Sequence, residues 1–193
     1  MAEVSHRYAL PPMQIEQARP DEAATVAAVL NEAARWIAAE GRPLWSAADV
    51  DLERVQRDTD AGGYFIARAG TDVAGVVRID LEDPGFWPEM ESGSALYVHK
   101  LAVSRAWAGH GVSVRLLEFA RERTAQLGRP WLRLDCVADR TPLRSLYERF
   151  GFSLHSVIYK GERAFARYEM QVQAIGAPPD TGKLPACGKL GAL

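Results

Sequence analysis

Leu101-Ala-Val-Ser-Arg-Ala-Trp-Ala-Gly-His-Gly-Val-Ser113, continued without a break by Val-Arg-Leu-Leu-Glu-Phe-Ala120, decides how this chain folds. It reads as the end of a strand, a tight glycine loop and the start of an amphipathic helix. Leu101, Ala102 and Val103 form the apolar strand end. Gly109 and Gly111 allow a backbone that bulkier residues would obstruct. Leu116, Leu117 and Ala120 recur at helical spacing. A strand feeding such a loop at a helix N-terminus makes an anion site. The N–H groups of Ala108, Gly109, His110, Gly111, Val112 and Ser113 are expected to point outward, and the helix dipole favours negative charge there. The stretch therefore predicts a phosphorylated ligand.

The common phosphate motifs fit poorly. GxxxxGK[ST] needs a Lys after its last glycine, and none follows Gly111. A dinucleotide fingerprint needs a third glycine, although Asp135 stands near the place of its acidic residue. The stretch instead resembles the acyl-CoA loop of the GNAT superfamily of N-acetyltransferases, roughly L-x-V, a short turn, then [QR]-x-x-G-x-[GA] opening a helix. Leu101, Val103, Gly109 and Gly111 fall in register with it. Ala106 stands where the family usually carries Gln or Arg, and Trp107 where Gly is common. Leu143-Arg-Ser-Leu-Tyr-Glu-Arg-Phe-Gly-Phe152 resembles a second GNAT motif, a short helix ending in lYexxGF and running into a strand. Gly151 suits the C-cap of that helix. Arg140 stands where the family usually has Asn. The resemblance spans Met13 to Met170 and is strongest from Leu96 to Phe152. It implies acetyl-CoA as co-substrate, its pyrophosphate on the glycine loop, with Arg140 and Tyr147 among the residues that meet it.

Composition narrows the field independently. Apolar residues make up 48% of the 193 residues and charged residues 25%, which suits a globular domain. A net charge of −2 lacks the basic surplus of a nucleic-acid binder. No apolar run is long enough for a membrane helix, and the N-terminus lacks the basic and apolar regions of a signal peptide. Cys136 and Cys187 are too few for a disulfide framework, so a reduced, cytoplasmic setting is expected.

Punctuation by Gly and Pro divides the chain. A strand over Met13–Ala18 is followed by a helix opened by Pro20, Asp21 and Glu22, with Asp21 as cap, and running to about Glu40. A second helix is expected from Ala47 to Asp60. Tyr64–Ala69 and Val73–Asp80 read as a hairpin across Gly70. Ser94–Val103 and Trp131–Val137 are further strands, separated by the glycine loop and its helix. Thr141–Phe150 is a short helix, and Phe152–Ile158 pairs with Ala164–Gln171. This βααβββαβαββ order predicts an α/β fold, a central mixed β-sheet flanked by helices. The GNAT resemblance adds a splay between the fourth and fifth strands, with the pantetheine arm in the cleft. One domain is expected over residues 13–172, with an N-terminal extension over 1–12 and a flexible Gly/Pro-rich tail over 173–193.

The chemistry implied by the resemblance sets the remaining requirements. An alkylamine with a pKa near ~10 arrives protonated, so acetyl transfer needs a general base, a donor for the oxyanion and a proton for the leaving thiolate. Tyr147 matches the GNAT position whose phenol reaches the thioester sulfur; a buried packing Tyr is the alternative. His99 is the candidate base. Alternation places it on one strand face with Tyr97, Leu101 and Val103, and its neighbourhood Tyr97-Val-His99 resembles the arylalkylamine acetyltransferases of the superfamily. A His satisfied within the sheet is the alternative.

Asp80-Leu-Glu-Asp-Pro-Gly-Phe-Trp-Pro-Glu-Met-Glu91 is a long acidic and aromatic loop. It is a candidate for drawing a cationic amine, with Phe86 or Trp87 stacking on it and Glu89 or Glu91 as a substitute base; a solvated loop whose aromatics cap the core is the bland reading. Trp36 and Trp45 lie in the helix pair that lids the acceptor site in GNATs. His6, His110 and His155 show no ligand spacing with Cys or acids, so no metal is expected. The sequence thus predicts an acetyltransferase acting on a primary amine, of a small molecule or of a protein, through direct attack in a ternary complex. A non-catalytic acyl-CoA-binding module is the alternative. No nucleic-acid or membrane partner is expected, and a monomer or homodimer is.

Overall fold

In the computed structural model, which describes residues 12–173 apart from Arg42 and Leu44, the elements run β1 (Met13–Gln17), α1 (Ala23–Ala39), α2 (Leu52–Asp60), β2 (Tyr64–Ala69), β3 (Asp72–Asp80), β4 (Ala95–Val103), α3 (Val112–Gln126), β5 (Trp131–Val137), α4 (Thr141–Phe150), β6 (Ser153–Lys160) and β7 (Arg163–Gln171). The expected N-terminal extension and C-terminal tail, with His6 and Cys187, lie outside the described residues apart from Pro12 and Gln173. Among the described residues no helix is long and apolar enough to cross a membrane.

The strands form one seven-stranded sheet in the order β1-β2-β3-β4-β5-β7-β6, antiparallel except where β4 meets β5. This is the mixed sheet that the element order predicts. Apolar alternation packs its two faces. On one, Leu96, Val98, Leu132 and Leu134 meet Leu116, Leu117 and Ala120 of α3 and Tyr147 of α4. On the other, Tyr64, Ile66, Val76 and Ala102 meet Val26, Leu30 and Ala33 of α1 and Val55 of α2. Burial of these side chains from water drives the layering.

Local chemistry shifts two helix starts. The side chain of Glu22, not Asp21, accepts from the Arg19 N–H at 2.8 Å, and α1 begins only after a 3₁₀ turn over Pro20–Glu22. Glu22 reaches that donor because it also pairs with Arg68 at 2.6 Å, whereas Asp21 bonds the Arg19 side chain. The helix expected from Ala47 begins at Leu52, because Ser46 and Asp49 close a separate 3₁₀ turn and Asp51 caps the Arg54 N–H at 2.9 Å.

Two features of β4 position the site. First, the parallel ladder with β5 runs only from Ala95↔Trp131 to Val98↔Leu134, although β4 continues to Val103 and β5 to Val137. Beyond Val98 the facing edges are unpaired, which leaves the splay expected between the fourth and fifth strands. Secondly, Lys100 and Leu101 together oppose one β3 residue, so that His99 pairs Arg78 and Ala102 pairs Val76. Lys100 adopts φ +46°, the single positive-φ non-glycine residue described. This is a β-bulge, and it reverses which face the later residues occupy. Gly75 lies close to the far side of this bulge: a Cβ there would sit 2.7 Å from the Ala102 carbonyl and 3.0 Å from Val112 Cγ1. Only glycine lets β3 approach β4 and α3 so closely.

Candidate active site

The glycine loop is built as a cradle of backbone donors. A 3₁₀ turn over Arg105–Trp107 leads into Gly109 at φ +80° and Gly111 at φ +74°, which caps α3. The Ala108 and His110 N–H groups bond the carbonyls of Arg105 and Trp107. They are therefore spoken for, contrary to the expectation that the whole run faces outward. The N–H groups of Gly109, Gly111, Val112, Ser113 and Val114 find no carbonyl partner among the described residues. Five donors at one helix start make an anion cradle. A groove of about 310 Å³ runs past it, lined by Val103, Trp36 and Ile37. Trp36 thus belongs beside the loop, where the Arg105 guanidinium stacks on it at 4.2 Å. His110 bonds the Ala108 carbonyl and packs on Trp107.

The free edge of β4 leads from this cradle to an acidic pocket at the splay. His99 sits there, but not on the face of Leu101 and Val103. Those two pack with Leu96 and Val98 on the α3 face, whereas His99 stays with Tyr97 on the other. The bulge at Lys100 breaks the alternation on which the shared face was expected. His99 Nε2 lies 3.6 Å from Asp80 Oδ2 and 3.5 Å from Asp83 Oδ2, and its Nδ1 lies 4.0 Å from Asp135 Oδ1. Burial lowers the His99 pKa against the pull of Asp80 and Asp83, so the imidazole is held neutral. Burial, with Asp83 beside it, pushes the Asp135 carboxyl up to about 7. Donor atoms of Asp83, His99 and Asp135 all lie within 4.8 Å of one another, a spacing that suits a small cation.

The surroundings of this pocket are already paired. Arg78 is held by Asp58 at 2.6 Å and by Asp80 at 2.9 Å. Lys100 sits over the Trp45 ring and 4.0 Å from Asp49, and burial lowers its pKa to about 8. Arg167 bonds the Phe86 carbonyl at 2.8 Å and Glu89 at 2.6 Å. A hydrogen bond from its own backbone N–H, with Arg167 beside it, keeps the Glu89 carboxyl below its ordinary range. Glu89 and Glu91 are both exposed, whereas His99 is half-buried. Trp87 is 2% exposed and packs on Tyr97 and His155 under the Arg133 and Arg167 guanidiniums. Phe86 packs on Phe165 beneath Lys160. These aromatics support the loop from within.

Tyr147 lies on α4, 6% exposed, between Phe152 and Tyr168. Burial first, then Cys136 and Asp135, raises its phenol well above the usual range. Arg140, at the start of the same helix, donates to the Pro43 carbonyl at 3.0 Å, as does Arg163 at 2.9 Å. Cys136 is buried in the core, and its thiol is pushed up to about 12, which leaves it inert as a nucleophile.

Sequence reasoning did not gather Asp80, Asp83 and Asp135 around His99. They come from β3, the following loop and β5, and the one signal was the acidic run Asp80-Leu-Glu-Asp83 beside a strand His.

Comparison with known proteins agrees with this fold. The sequence model of the "Acetyltransferase (GNAT) family" matches residues 30–152. The chain is 29% identical over 154 residues to the uncharacterized N-acetyltransferase YesJ of Bacillus subtilis (strain 168), across 76% of this chain and 85% of that one. A GNAT family acetyltransferase from Listeria monocytogenes 4b F2365 superposes with a TM-score of 0.72 at 23% identity, covering 83% of this chain and 95% of its own. A Salmonella typhimurium protein described as an acetyltransferase and solved with its cofactor acetyl-CoA gives a TM-score of 0.64 at 15% identity, over 88% and 99%.

Proposed function

This chain belongs to the GNAT acetyltransferase family, an acyltransferase family, and on that premise we propose that it moves an acetyl group from acetyl-CoA to the primary amine of a small molecule by direct attack in a ternary complex. The observation that carries the reading is the unpaired edge of β4 beyond Val98, which joins a cradle of free N–H donors to the half-buried His99. The pyrophosphate takes the donors of Gly109, Gly111, Val112, Ser113 and Val114. The pantetheine amides pair along Leu101–Val103 as an added strand would. Arg140 borders the cleft from the α4 side.

In the proposed step the amine nitrogen attacks the thioester carbon, forming C–N and then breaking C–S. Neutral His99 accepts the amine proton. Free N–H groups on the β4 edge receive the oxyanion. Tyr147 stays protonated at any working pH, so it meets the leaving sulfur as a donor. After product release His99 passes its proton to solvent and Tyr147 regains one from it; an acceptor that arrives as ammonium gives up one further proton to solvent. The step uses no metal.

The test is release of free thiol from acetyl-CoA with a panel of small amines. Amine-dependent release supports the reading. Tight acetyl-CoA binding with no release for any amine or peptide overturns it in favour of a binding module; release with peptide N-termini alone moves the acceptor to proteins.

A further inference from the structure

Among the described residues, Asp83 is the carboxylate of the acidic pocket with a fully buried oxygen that has no partner. Its Oδ1 accepts the Phe86 N–H at 3.0 Å, which fixes the group. Its Oδ2 is buried and has no hydrogen-bond partner among the described residues, while the whole side chain is only 9% exposed. That oxygen faces His99 Nε2 at 3.5 Å, but a neutral imidazole at that distance neutralises nothing. A buried, unpaired carboxylate oxygen is costly, and a cationic donor is a partner that would offset that cost. Among the described residues no neighbouring cation serves it. Arg78 is taken by Asp58 and Asp80, Lys100 by Asp49 and Trp45, Arg167 by Glu89 and Phe86, and Lys160 by the Gly85 carbonyl.

We propose that Asp83, flanked by Asp135 and His99, anchors the ammonium of the incoming acceptor, and that the acceptors are therefore strongly basic alkylamines bound as cations. This rests on the acetyl-transfer reading above. Two carboxylate oxygens that each accept from one ammonium at about 2.8 Å, at a tetrahedral angle, stand about 4.6 Å apart. The donor atoms here lie within 4.8 Å. His99 presents Nε2 to Asp83 at 3.5 Å and Nδ1 to Asp135 at 4.0 Å, so the two carboxylates meet different nitrogens of the ring. The ammonium held at Asp83 lies next to the imidazole that takes its proton, so anchoring and deprotonation occur at adjoining atoms. Asp83 acts here as a binding residue for the acceptor.

The experiment compares Asp83→Asn with wild type on two acceptors at pH 7.5: propylamine, which is cationic, and aniline, which is neutral. Asn keeps the Oδ1 acceptor for the Phe86 N–H, and a circular-dichroism melt checks the fold. The expected result is a KM for propylamine raised at least tenfold, with kcat within about threefold, the KM for acetyl-CoA unchanged, and aniline turnover unaltered. Calorimetric titration of propylammonium into the CoA complex gives a readout free of turnover. It should show binding that Asp83→Asn abolishes. If neither amine releases thiol, the acetyl-transfer reading fails, and the titration alone still decides the anchor. Equal losses on both amines, unchanged propylamine binding in the variant, or Zn²⁺ binding that needs Asp83 while amine binding does not, would each overturn the proposal.

Discussion

The glycine loop follows the C-terminal end of β4 and the acidic pocket lies at the middle of that strand, and they are built by opposite means. The loop is backbone: its donors are N–H groups of consecutive residues, aimed by Gly109 and Gly111 at positive φ. The pocket is side chain: His99, Asp80, Asp83 and Asp135 come from β4, β3, a loop and β5 and meet only after folding. Backbone geometry tolerates change in most side chains, so the cradle keeps its free donors despite Ala106 and Trp107. A side-chain pocket has no such tolerance, and it is the part that a family can redraw for each acceptor.

The division predicts that variants at the two sites affect different substrates. Tyr147, between them, should affect neither binding step. Tyr147→Phe keeps the ring and removes the proton, so kcat should fall about 100-fold with both KM values within a few fold. Steady-state kinetics checks this, and unchanged kcat would reduce Tyr147 to packing. At the loop, Gly111→Asp places a non-glycine residue at φ +74° and a negative charge in the cradle. Acetyl-CoA affinity measured by calorimetry should drop tenfold or more, with the amine KM unmoved once cofactor is saturating. A matching rise in the amine KM would break the division.

The pH profile sharpens the pocket side. Groups facing His99 are Asp80 and Arg78 from β3, Asp83 from the loop, Lys100 from β4 and Asp135 from β5; Lys160 of β6 and Arg167 of β7 act on Asp135. A base works deprotonated, so kcat/KM rises with pH through its pKa. Burial lowers the His99 pKa, so its limb should lie on the acid side of 6.5 and vanish in His99→Ala. A limb near 7 that survives His99→Ala and disappears in Asp135→Asn would transfer the role to Asp135, whose carboxyl sits at about 7. The smallest effect is expected at Gly75. Gly75→Ala forces a Cβ within 2.7 Å of a backbone oxygen and should cost about 1–3 kcal/mol. A thermal melt should show a drop of several degrees, with the KM values retained in the folded fraction.

The same division explains what could be read from the sequence. Gly109, Gly111 and Gly151 were legible because left-handed backbone selects glycine locally, and Tyr147 because it precedes Gly151 at a fixed spacing. The sheet followed from apolar alternation and glycine punctuation. The bulge was not legible, because Lys100 is a residue that left-handed backbone disfavours; tertiary contacts, not local preference, hold it at φ +46°. With the bulge unseen, His99 was assigned to the wrong face. Asp135 and Asp83 carry no local signature at all. Their meeting depends on the β4–β5 register and on the fold of the loop at Asp83.

The short parallel ladder between β4 and β5 has a thermodynamic consequence. Only the stretch from Ala95↔Trp131 to Val98↔Leu134 ties the two halves of the sheet together at its centre. A ligand lying along the open edges touches both halves at once and finds no such wedge in the unfolded chain. Its binding is therefore also a clamp on folding, worth about 2.7 kcal/mol at a concentration of one hundred times Kd.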